Sequence, residues 1–252
     1  MSIQSIQSKA CKYLYYLYQW LILFPLALLS TVLCTSSIII GCFVASSRFW
    51  GYYPGIIWGR FICRTALLNI KIVRKAKLDT KQSYVFVANH QSSLDIFLIS
   101  GYLGHNFRWL MKKDLEKMPF VGTAATLGEH VFVDQSSRKG IVETMRNAKE
   151  KLRDGVSTVI FPEGHRTRDG KMAEFKRGAF QTAMSLKLPI VPISIDGAYK
   201  VLPINSYKMH RSPIKLTFHD AIPTKDLSAA DLPEFMENVR QIIASELPEE
   251  GC

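Results

Sequence analysis

The segment Asn89-His90-Gln91-Ser92-Ser93-Leu94-Asp95 follows directly on an apolar run, Tyr84–Ala88, that is typical of a buried strand. His90 and Asp95 are five positions apart. On one continuous helix this spacing would turn the two side chains roughly 140° away from each other, so His90 must lie off the helix. The spacing therefore predicts a strand that ends near Asn89, a turn through His90, and a helix that begins at Ser92 or Ser93.

In this arrangement Asp95 lies in the first turn of the helix and folds back toward the imidazole of His90. A carboxylate in that place accepts a hydrogen bond from one ring nitrogen and leaves the other nitrogen to take a proton. The pair is therefore a candidate general base. The same residues also fit a capping box, in which Asp95 serves only the start of the helix, and the spacing alone leaves both interpretations open.

Short β-rich runs alternate with helical stretches after Trp50. The predicted strands are Ile70–Arg74, Tyr84–Ala88, Phe107–Met111, His130–Val133, Ser157–Phe161, Ile190–Ile195 and Ile214–Phe218. The clearest predicted helices are Leu94–Leu103, Arg138–Arg153, Gly178–Leu186 and Leu232–Leu247. This alternation predicts an α/β fold with a mixed, mostly parallel sheet covered by helices, in which loops at the carboxyl ends of the strands hold the ligand.

The positive charge of the chain is concentrated in its first third. The formal net charge is +11, and nine basic residues but no acidic residue precede Asp79. The same third is also the most apolar, because residues 13–47 carry no charged side chain. A segment that is both basic and apolar favours an anionic membrane surface, and anionic membrane lipids as partners, over nucleic acid.

The uncharged stretch is long enough to cross a membrane. As a helix, Tyr13 to Cys34 would measure about 33 Å, against a hydrocarbon core of roughly 30 Å. Pro25 and the polar group at 35–37 interrupt it, so either one spanning helix or a pair of shorter helices lying partly in one leaflet fits, and we favour the pair. We predict a membrane-embedded N-terminal helical segment at residues 1–50 and an α/β domain at residues 51–252.

The cysteines and histidines indicate neither a metal site nor a redox site. The five cysteines, at positions 11, 34, 42, 63 and 252, have no metal-ligand spacing, and their number is odd. This pattern favours free thiols and a catalytic domain on the cytoplasmic side of the membrane, which is the inner membrane in a bacterium. No phosphate loop or dinucleotide fingerprint occurs, so we predict no bound metal or cofactor.

Two further segments follow predicted strands and carry candidate binding residues, and a third begins a few residues after the second. Lys112 and Lys113, followed by a Pro-Phe turn and Gly122, could form an anion pocket or only a solvated basic turn. In the segment 162–168, Arg166 and Arg168 could grip one phosphate, and Glu163 would hold a guanidinium or accept from a substrate hydroxyl. Taken alone, this segment could equally be a charged surface turn. The third segment, at 175–179, opens a helix whose amino end favours an anion.

Taken in order, these motifs resemble the glycerolipid acyltransferase family, and within it the enzymes that acylate lysophosphatidic acid. The motifs are Asn-His-x4-Asp at 89–95, Lys-Lys-x-Leu-x3-Pro-x2-Gly at 112–122, Phe-Pro-Glu-Gly-x-Arg at 161–166 and Val-Pro-Ile-Ser-Ile at 191–195. The resemblance covers roughly residues 70–220. One of these motifs alone would be weak evidence, but four in the family's order are specific.

The resemblance implies transfer of an acyl group from acyl-CoA or an acyl carrier protein to the sn-2 hydroxyl of lysophosphatidic acid, which gives phosphatidic acid. It implies that His90 is the general base and that Asp95 orients it. It further implies a pocket for the acceptor phosphate, built from Lys112 or Lys113, Gly122, Glu163, Gly164, Arg166 and Lys176.

The alternatives are acylation of glycerol-3-phosphate or another lysolipid, a membrane-tethered thioester hydrolase, or a non-catalytic basic binder. Two departures from the family pattern are His165, where many relatives have threonine or another small residue, and Gln135, where many have a base. Because Gln135 is not basic, one phosphate contact of the family is in doubt here, and Arg138 or Lys139 could supply it. The sequence does not indicate an oligomeric state.

Overall fold

The computed structural model describes residues 3–75, 77–133 and 138–248. Gln135 and Cys252 lie outside the described residues, as do the side chains of Arg138 and Lys139. The predictions that concern these four positions therefore remain predictions.

Within the described residues, seven strands form one sheet. In chain order they are β1 (Asn69–Arg74), β2 (Val85–Ala88), β3 (Phe107–Lys112), β4 (Val131–Val133), β5 (Ser157–Ile160), β6 (Ile190–Asp196) and β7 (Pro213–Phe218). Their order across the sheet is β1-β7-β6-β2-β5-β3-β4. Neighbouring strands run parallel except β6 and β7, which are antiparallel. The predicted mixed, mostly parallel sheet is confirmed.

Helices connect the strands and cover both faces of the sheet. They are α1 (Ile3–Tyr18), α2 (Phe24–Val44), α3 (Ser47–Trp50), α4 (Tyr53–Thr65), α5 (Leu94–Tyr102), α6 (Val121–Leu127), α7 (Arg138–Lys151), α8 (Gly178–Leu186), α9 (Ala198–Val201) and α10 (Leu232–Ala244). Alternate side chains of β2 enter different cores, because successive residues of a strand point to opposite faces. Phe86 packs on the face that Leu98 of α5 covers, whereas Val85 and Val87 pack on the face that Phe180 of α8 covers. Burying each of these side chains contributes about 1.5–3 kcal/mol.

The sheet brings its functional loops to one edge. Because β2, β5 and β3 are parallel neighbours, the residues that follow each of these strands emerge side by side. The antiparallel β6–β7 pair also brings the first residues of β7 and β1 to this edge. We call it the carboxyl edge.

The amino-terminal helix is a single helical run, so the favoured pair of helices broken at Pro25 is wrong. A π-helical segment, Gln19–Leu23, joins α1 to α2, and the Phe24 N–H bonds to the Gln19 carbonyl. A proline ring inside a helix clashes with the carbonyl one turn before it, and a wider π turn relieves that clash without ending the helix. The chain therefore stays helical through Pro25, which lies in the first turn of α2.

One described helix, Cys11–Val44, is long and apolar enough to cross a membrane, judged by length and composition. Only 17% of its most apolar window is buried, which distinguishes it from a core helix. Hydrogen bonds tie it to the rest of the chain. The hydroxyls of Tyr15 and Tyr18 each donate to a carbonyl at the end of α4 at 2.8 Å, and the Trp58 indole donates to Thr31 at 3.0 Å.

Candidate active site

His90 and Asp95 meet at the carboxyl edge, in the turn between β2 and α5. The Nδ1 atom of His90 lies 2.8 Å from Oδ2 of Asp95. The Asp95 side chain is fully buried, whereas that of His90 is 14% exposed. The helix begins at Leu94 with Ser93 as its N-cap, as the spacing of the two residues predicted.

The carboxylate of Asp95 determines which nitrogen of His90 carries the proton. Its Oδ2 also accepts the backbone N–H groups of Gln91 at 2.8 Å and Ser92 at 2.9 Å. Because Oδ2 already accepts two backbone N–H groups, it acts as an acceptor toward the ring as well, so Nδ1 of His90 donates. Nε2 is therefore the basic nitrogen, and it makes no hydrogen bond to any residue that the structure describes. Asp95 thus supports the start of the helix and also orients the imidazole.

An aromatic stack fixes the plane of the imidazole. The ring of His90 lies 3.9 Å from that of Phe161, with 14° between the planes, and Trp109 stacks behind Phe161 at 5.9 Å. Sequence reasoning alone places Phe161 at the end of a strand and in the 161–166 motif, but it does not predict this stack. Its place at the end of β5, next to β2, is the signal that could have identified it.

Side chains near His90 hold the turn to neighbouring loops. Asn89 bonds the backbone of Ile195 twice, donating at 2.9 Å and accepting at 2.8 Å. Gln91 donates to the carbonyl of Gly170, and Ser92 donates to that of Leu202, both at 2.8 Å. The sequence signal for these hydrogen bonds is the presence of amide and hydroxyl side chains directly after a buried strand.

Glu163 supports the backbone of the turn instead of a guanidinium. It is 1% exposed, and its two oxygens accept the N–H of His90 at 2.7 Å and the N–H of Ala173 at 2.9 Å. No ion pair joins it to an arginine in the described part of the chain. Burial raises the pKa of Glu163 to about 7, although its two backbone hydrogen bonds lower it.

The Glu163→Gln variant is expected to lose stability and to lower kcat by about tenfold. The amide oxygen can accept one backbone N–H, but the amide nitrogen cannot accept the other, and a buried donor without a partner costs about 1–3 kcal/mol. Urea unfolding in neutral micelles would measure the loss of stability, and initial rates of the acyl transfer that the family resemblance implies would measure kcat. Replacing the exposed neighbour Glu174 by Gln is the matched control.

The wild type and the Glu163→Gln variant also allow a test of how stability depends on pH. Because folding raises the pKa of Glu163 from 4.5 to about 7, the folded chain binds a proton that the unfolded chain does not bind between these values. The stability contributed by this proton is complete below pH 4.5 and is lost as the pH rises to about 7. The advantage of the wild type over Glu163→Gln should therefore shrink across this window, and an advantage that grew with pH would contradict the assignment.

The other members of the 161–166 motif line the same turn. Arg166 donates from Nη1 to the hydroxyl of Ser93, the N-cap residue of α5. Gly164 has a φ of +76°, and a Cβ there would lie 2.7 Å from Nζ of Lys176. The structure therefore brings Arg166 and Lys176 beside the His90 turn. Arg168 is exposed, and its carbonyl accepts a hydrogen bond from the hydroxyl of Tyr199 at 2.7 Å.

The lysines after β3 lie at the carboxyl edge but farther from His90. Continued past the strand ends, the register of β2, β5 and β3 places Lys112 level with Asn89 and Lys113 level with His90, two strands or roughly 10 Å away. Lys112 and Lys113 are both exposed. Gly122, which the resemblance assigns to the phosphate pocket, packs under the 3-10 helix Lys113–Lys117. A Cβ on this glycine would lie 2.1 Å from the Glu116 carbonyl oxygen.

The chain is similar to known acyltransferases. A family model described as acyltransferase matches residues 69–196. A protein of Helicobacter pylori named 1-acyl-sn-glycerol-3-phosphate acyltransferase is 32% identical over 188 residues, which cover 73% of this chain and 76% of that protein. A Saccharomyces cerevisiae protein of the same name is 31% identical over 187 residues, which cover 73% of this chain and 61% of that protein.

A solved structure is similar over almost the whole chain. The crystal structure of the 1-acyl-sn-glycerophosphate (LPA) acyltransferase PlsC from Thermotoga maritima matches with a TM-score of 0.75 and 25% identity, covering 94% of this chain and 95% of that one. Among the curated relatives, the chain spans between 40% and 76% of their length. Because the family model covers about half of the 252 residues and includes the His90–Asp95 turn, the chain belongs to the acyltransferase family.

Proposed function

We propose that this chain transfers an acyl group from acyl-CoA or an acyl carrier protein to the sn-2 hydroxyl of lysophosphatidic acid, giving phosphatidic acid. The observation that carries the proposal is the 2.8 Å contact between His90 and Asp95, which leaves Nε2 as the basic nitrogen. The names of the relatives and the similarity to the T. maritima structure support this acceptor.

In the proposed reaction, Nε2 of His90 takes the proton of the acceptor hydroxyl while the hydroxyl oxygen attacks the thioester carbonyl. The tetrahedral intermediate collapses, the carbon–sulfur bond breaks, and the imidazolium returns the proton to the departing thiolate. Such acid–base help contributes about 10²–10⁴ in rate. Asp95 stabilises the imidazolium during transfer, and holding both substrates in line contributes about 7–11 kcal/mol more.

The acceptor phosphate would bind beside this turn. Arg166 is held by Ser93 at the amino end of α5, where the helix dipole is positive, and Lys176 lies over Gly164. The glycine keeps the loop close to the lysine, so both cations can face one phosphate. Glu163 positions the backbone of His90. Lys112, Lys113 or a backbone amide would stabilise the developing oxyanion.

Replacing Arg166 by Gln is expected to raise KM for lysophosphatidic acid by about 10–100-fold, because a hydrogen bond to a charged group contributes about 1.5–3 kcal/mol. KM for the acyl donor should change little. Initial rates with each substrate varied in turn would measure both values, and Arg153→Gln, which removes an exposed arginine in a different loop, is the control. If Arg166→Gln raised KM equally for a phosphate-free monoacylglycerol acceptor, Arg166 would not belong to the phosphate site.

The amino-terminal helix supports a place at the membrane for this reaction. Both the acceptor and the product are lipids, so a base held near the headgroup level can collect and release them without their crossing water. We propose that Cys11–Val44 anchors the enzyme in a membrane with anionic lipids and that the catalytic domain lies on the cytoplasmic side. The basic first third of the chain supports this orientation.

The direct test is thiol release from acyl-CoA by the full chain in vesicles, with and without lysophosphatidic acid, and with the lipid product identified. Release that requires the acceptor and yields phosphatidic acid would establish the reaction. Release that is independent of any acceptor would indicate a hydrolase. Release that responds only to glycerol-3-phosphate or to another lysolipid would assign a different acceptor.

A further inference from the structure

A second concave site lies at the carboxyl edge, between α1 and the starts of β1 and β7. The cavity has a volume of about 370 Å³. Its walls are Tyr15 of α1, the segment Ala66–Asn69 and the segment His210–Pro213. β1 is the third neighbour of β2 in the sheet, which places this cavity roughly 14 Å from the His90 strand. It is therefore separate from the candidate active site.

One cation, Arg211, lines this cavity, and two more lie at the ring of Tyr16, whose hydroxyl is 3.4 Å from Nδ1 of the lining residue His210. The guanidinium carbon of Arg211 lies 5.4 Å from the centre of the Tyr15 ring. The ammonium groups of Lys12 and Lys208 lie 5.9 Å and 5.7 Å from the centre of the Tyr16 ring. No ion pair joins any of these three cations to an acidic residue that the structure describes. Their charge is therefore available to an external anion.

The sequence around the cavity reinforces this positive potential. Tyr15 and Ala66–Asn69 belong to the stretch before Asp79, which contains no acidic residue. His210–Pro213 belongs to a second acid-free stretch, from Gly197 to His219. Every wall of the cavity thus comes from a segment without a carboxylate, so its field attracts anions.

The cavity opens beside the apolar face of the amino-terminal helix. Leu14, Leu17, Trp20 and Leu21 are each more than half exposed on α1 and the π segment that follows it, whereas Tyr15 and Tyr18 face the rest of the chain. An anion in the cavity would therefore lie next to side chains that suit the acyl region of a bilayer.

A buried glutamine holds the two sides of the cavity together. Gln19 is fully buried, its amide nitrogen donates to the Tyr207 carbonyl, and its amide oxygen accepts the Met209 N–H at 2.9 Å. These bonds fasten the loop that carries Lys208 and Arg211 to the helix. The site is therefore formed before a ligand arrives, which lowers the cost of binding.

We propose that this cavity binds the phosphate group of an anionic membrane lipid. A planar guanidinium and nearby ammonium groups are the donors that recognise phosphate, and a volume of about 370 Å³ accepts a lipid headgroup. The bound headgroup holds the helix at a defined depth against the α/β domain. This inference goes beyond the proposed reaction and does not depend on it.

The test measures binding of dihexanoyl phosphatidylglycerol to the full chain in neutral detergent micelles by calorimetry. This probe is anionic but is neither the proposed acceptor nor the proposed product. The double variant Arg211→Gln with Lys208→Gln should bind about 25-fold more weakly, since each cation contributes about fivefold. The control, Lys149→Gln with Lys225→Gln, removes two exposed cations elsewhere and should change binding less than about twofold.

A variant with unchanged charge distinguishes binding in the cavity from attraction to general surface charge. Ser212→Trp fills the cavity without changing any charge, and it should lose binding as the double variant does while keeping its thermal unfolding midpoint. Wild-type affinity in Ser212→Trp would overturn the proposal. A competition experiment adds inorganic phosphate, which should displace the lipid only at concentrations far above that of the lipid. Equal affinity for inorganic phosphate would assign the site to a soluble anion and overturn the lipid assignment.

Discussion

The His90→Gln variant is expected to lose about 10³-fold in kcat while binding both substrates with nearly unchanged KM. Glutamine has no nitrogen that takes a proton near neutral pH, so the acceptor hydroxyl would have to attack without a base. The backbone N–H of residue 90 would still donate to Glu163, and the side chain is partly exposed, so the fold should persist. Thiol release under saturating substrates measures the effect.

The control for this variant is another histidine that has a structural contact. The Nε2 atom of His105 lies 3.1 Å from the Gln82 carbonyl oxygen, and the ring is buried behind Tyr84. His105→Gln should therefore lower the unfolding free energy and leave kcat within about twofold. If His90→Gln instead kept a tenth or more of the wild-type kcat, His90 would not be the base.

Replacing Asp95 by Asn is expected to lower kcat by about 10²-fold and also to destabilise the fold. Oδ2 of Asp95 accepts three hydrogen bonds, whereas Oδ1 is buried without a hydrogen-bond partner. The amide nitrogen of asparagine cannot replace Oδ2, because it would face the N–H groups of Gln91 and Ser92. It must take the place of Oδ1, where a buried donor without a partner costs about 1–3 kcal/mol.

This geometry predicts that the Asn variant keeps the proton on Nδ1 of His90. The loss of rate then comes from the lost negative charge, which no longer stabilises the imidazolium, and a hydrogen bond to a charged group contributes about 1.5–3 kcal/mol. Proton NMR would detect the Nδ1–H resonance in both proteins. Loss of that resonance in Asp95→Asn would show that the ring adopts the other tautomer and that the two backbone donors do not fix the orientation. Asp226→Asn, at an exposed position, is the control.

The sheet could be predicted because each strand has a local signal. β2 is a continuous apolar run and β6 is apolar except for Ser194 and Asp196, as buried parallel strands require, whereas β5 is indicated by its β-branched residues Thr158, Val159 and Ile160. The start of α5 followed from the spacing of His90 and Asp95. The continuity of the amino-terminal helix could not be predicted, since a proline usually ends a helix and the π segment that accommodates Pro25 has no recognisable sequence pattern.

The role of Glu163 could not be read from its neighbours in sequence. A carboxylate followed by Arg166 and Arg168 suggests an ion pair, but its contacts depend on which strand lies beside β5. Because that strand is β2, Glu163 lies level with His90 and accepts its backbone N–H. Gly122 is a similar case, since the 3-10 helix that it packs under becomes visible only in three dimensions.

The π segment between α1 and α2 also constrains how this helix can change in evolution. A π turn contains one residue more than an α turn, so the side chains before it are rotated by roughly 100° relative to those after it. Tyr15 and Tyr18 meet the α/β domain before this offset, and Thr31 meets Trp58 after it. Deleting one residue between these contacts would restore a regular helix and turn one set of contacts away from the α/β domain. We therefore expect related chains to vary in residue type along this helix but to conserve the number of residues between the two sets of contacts.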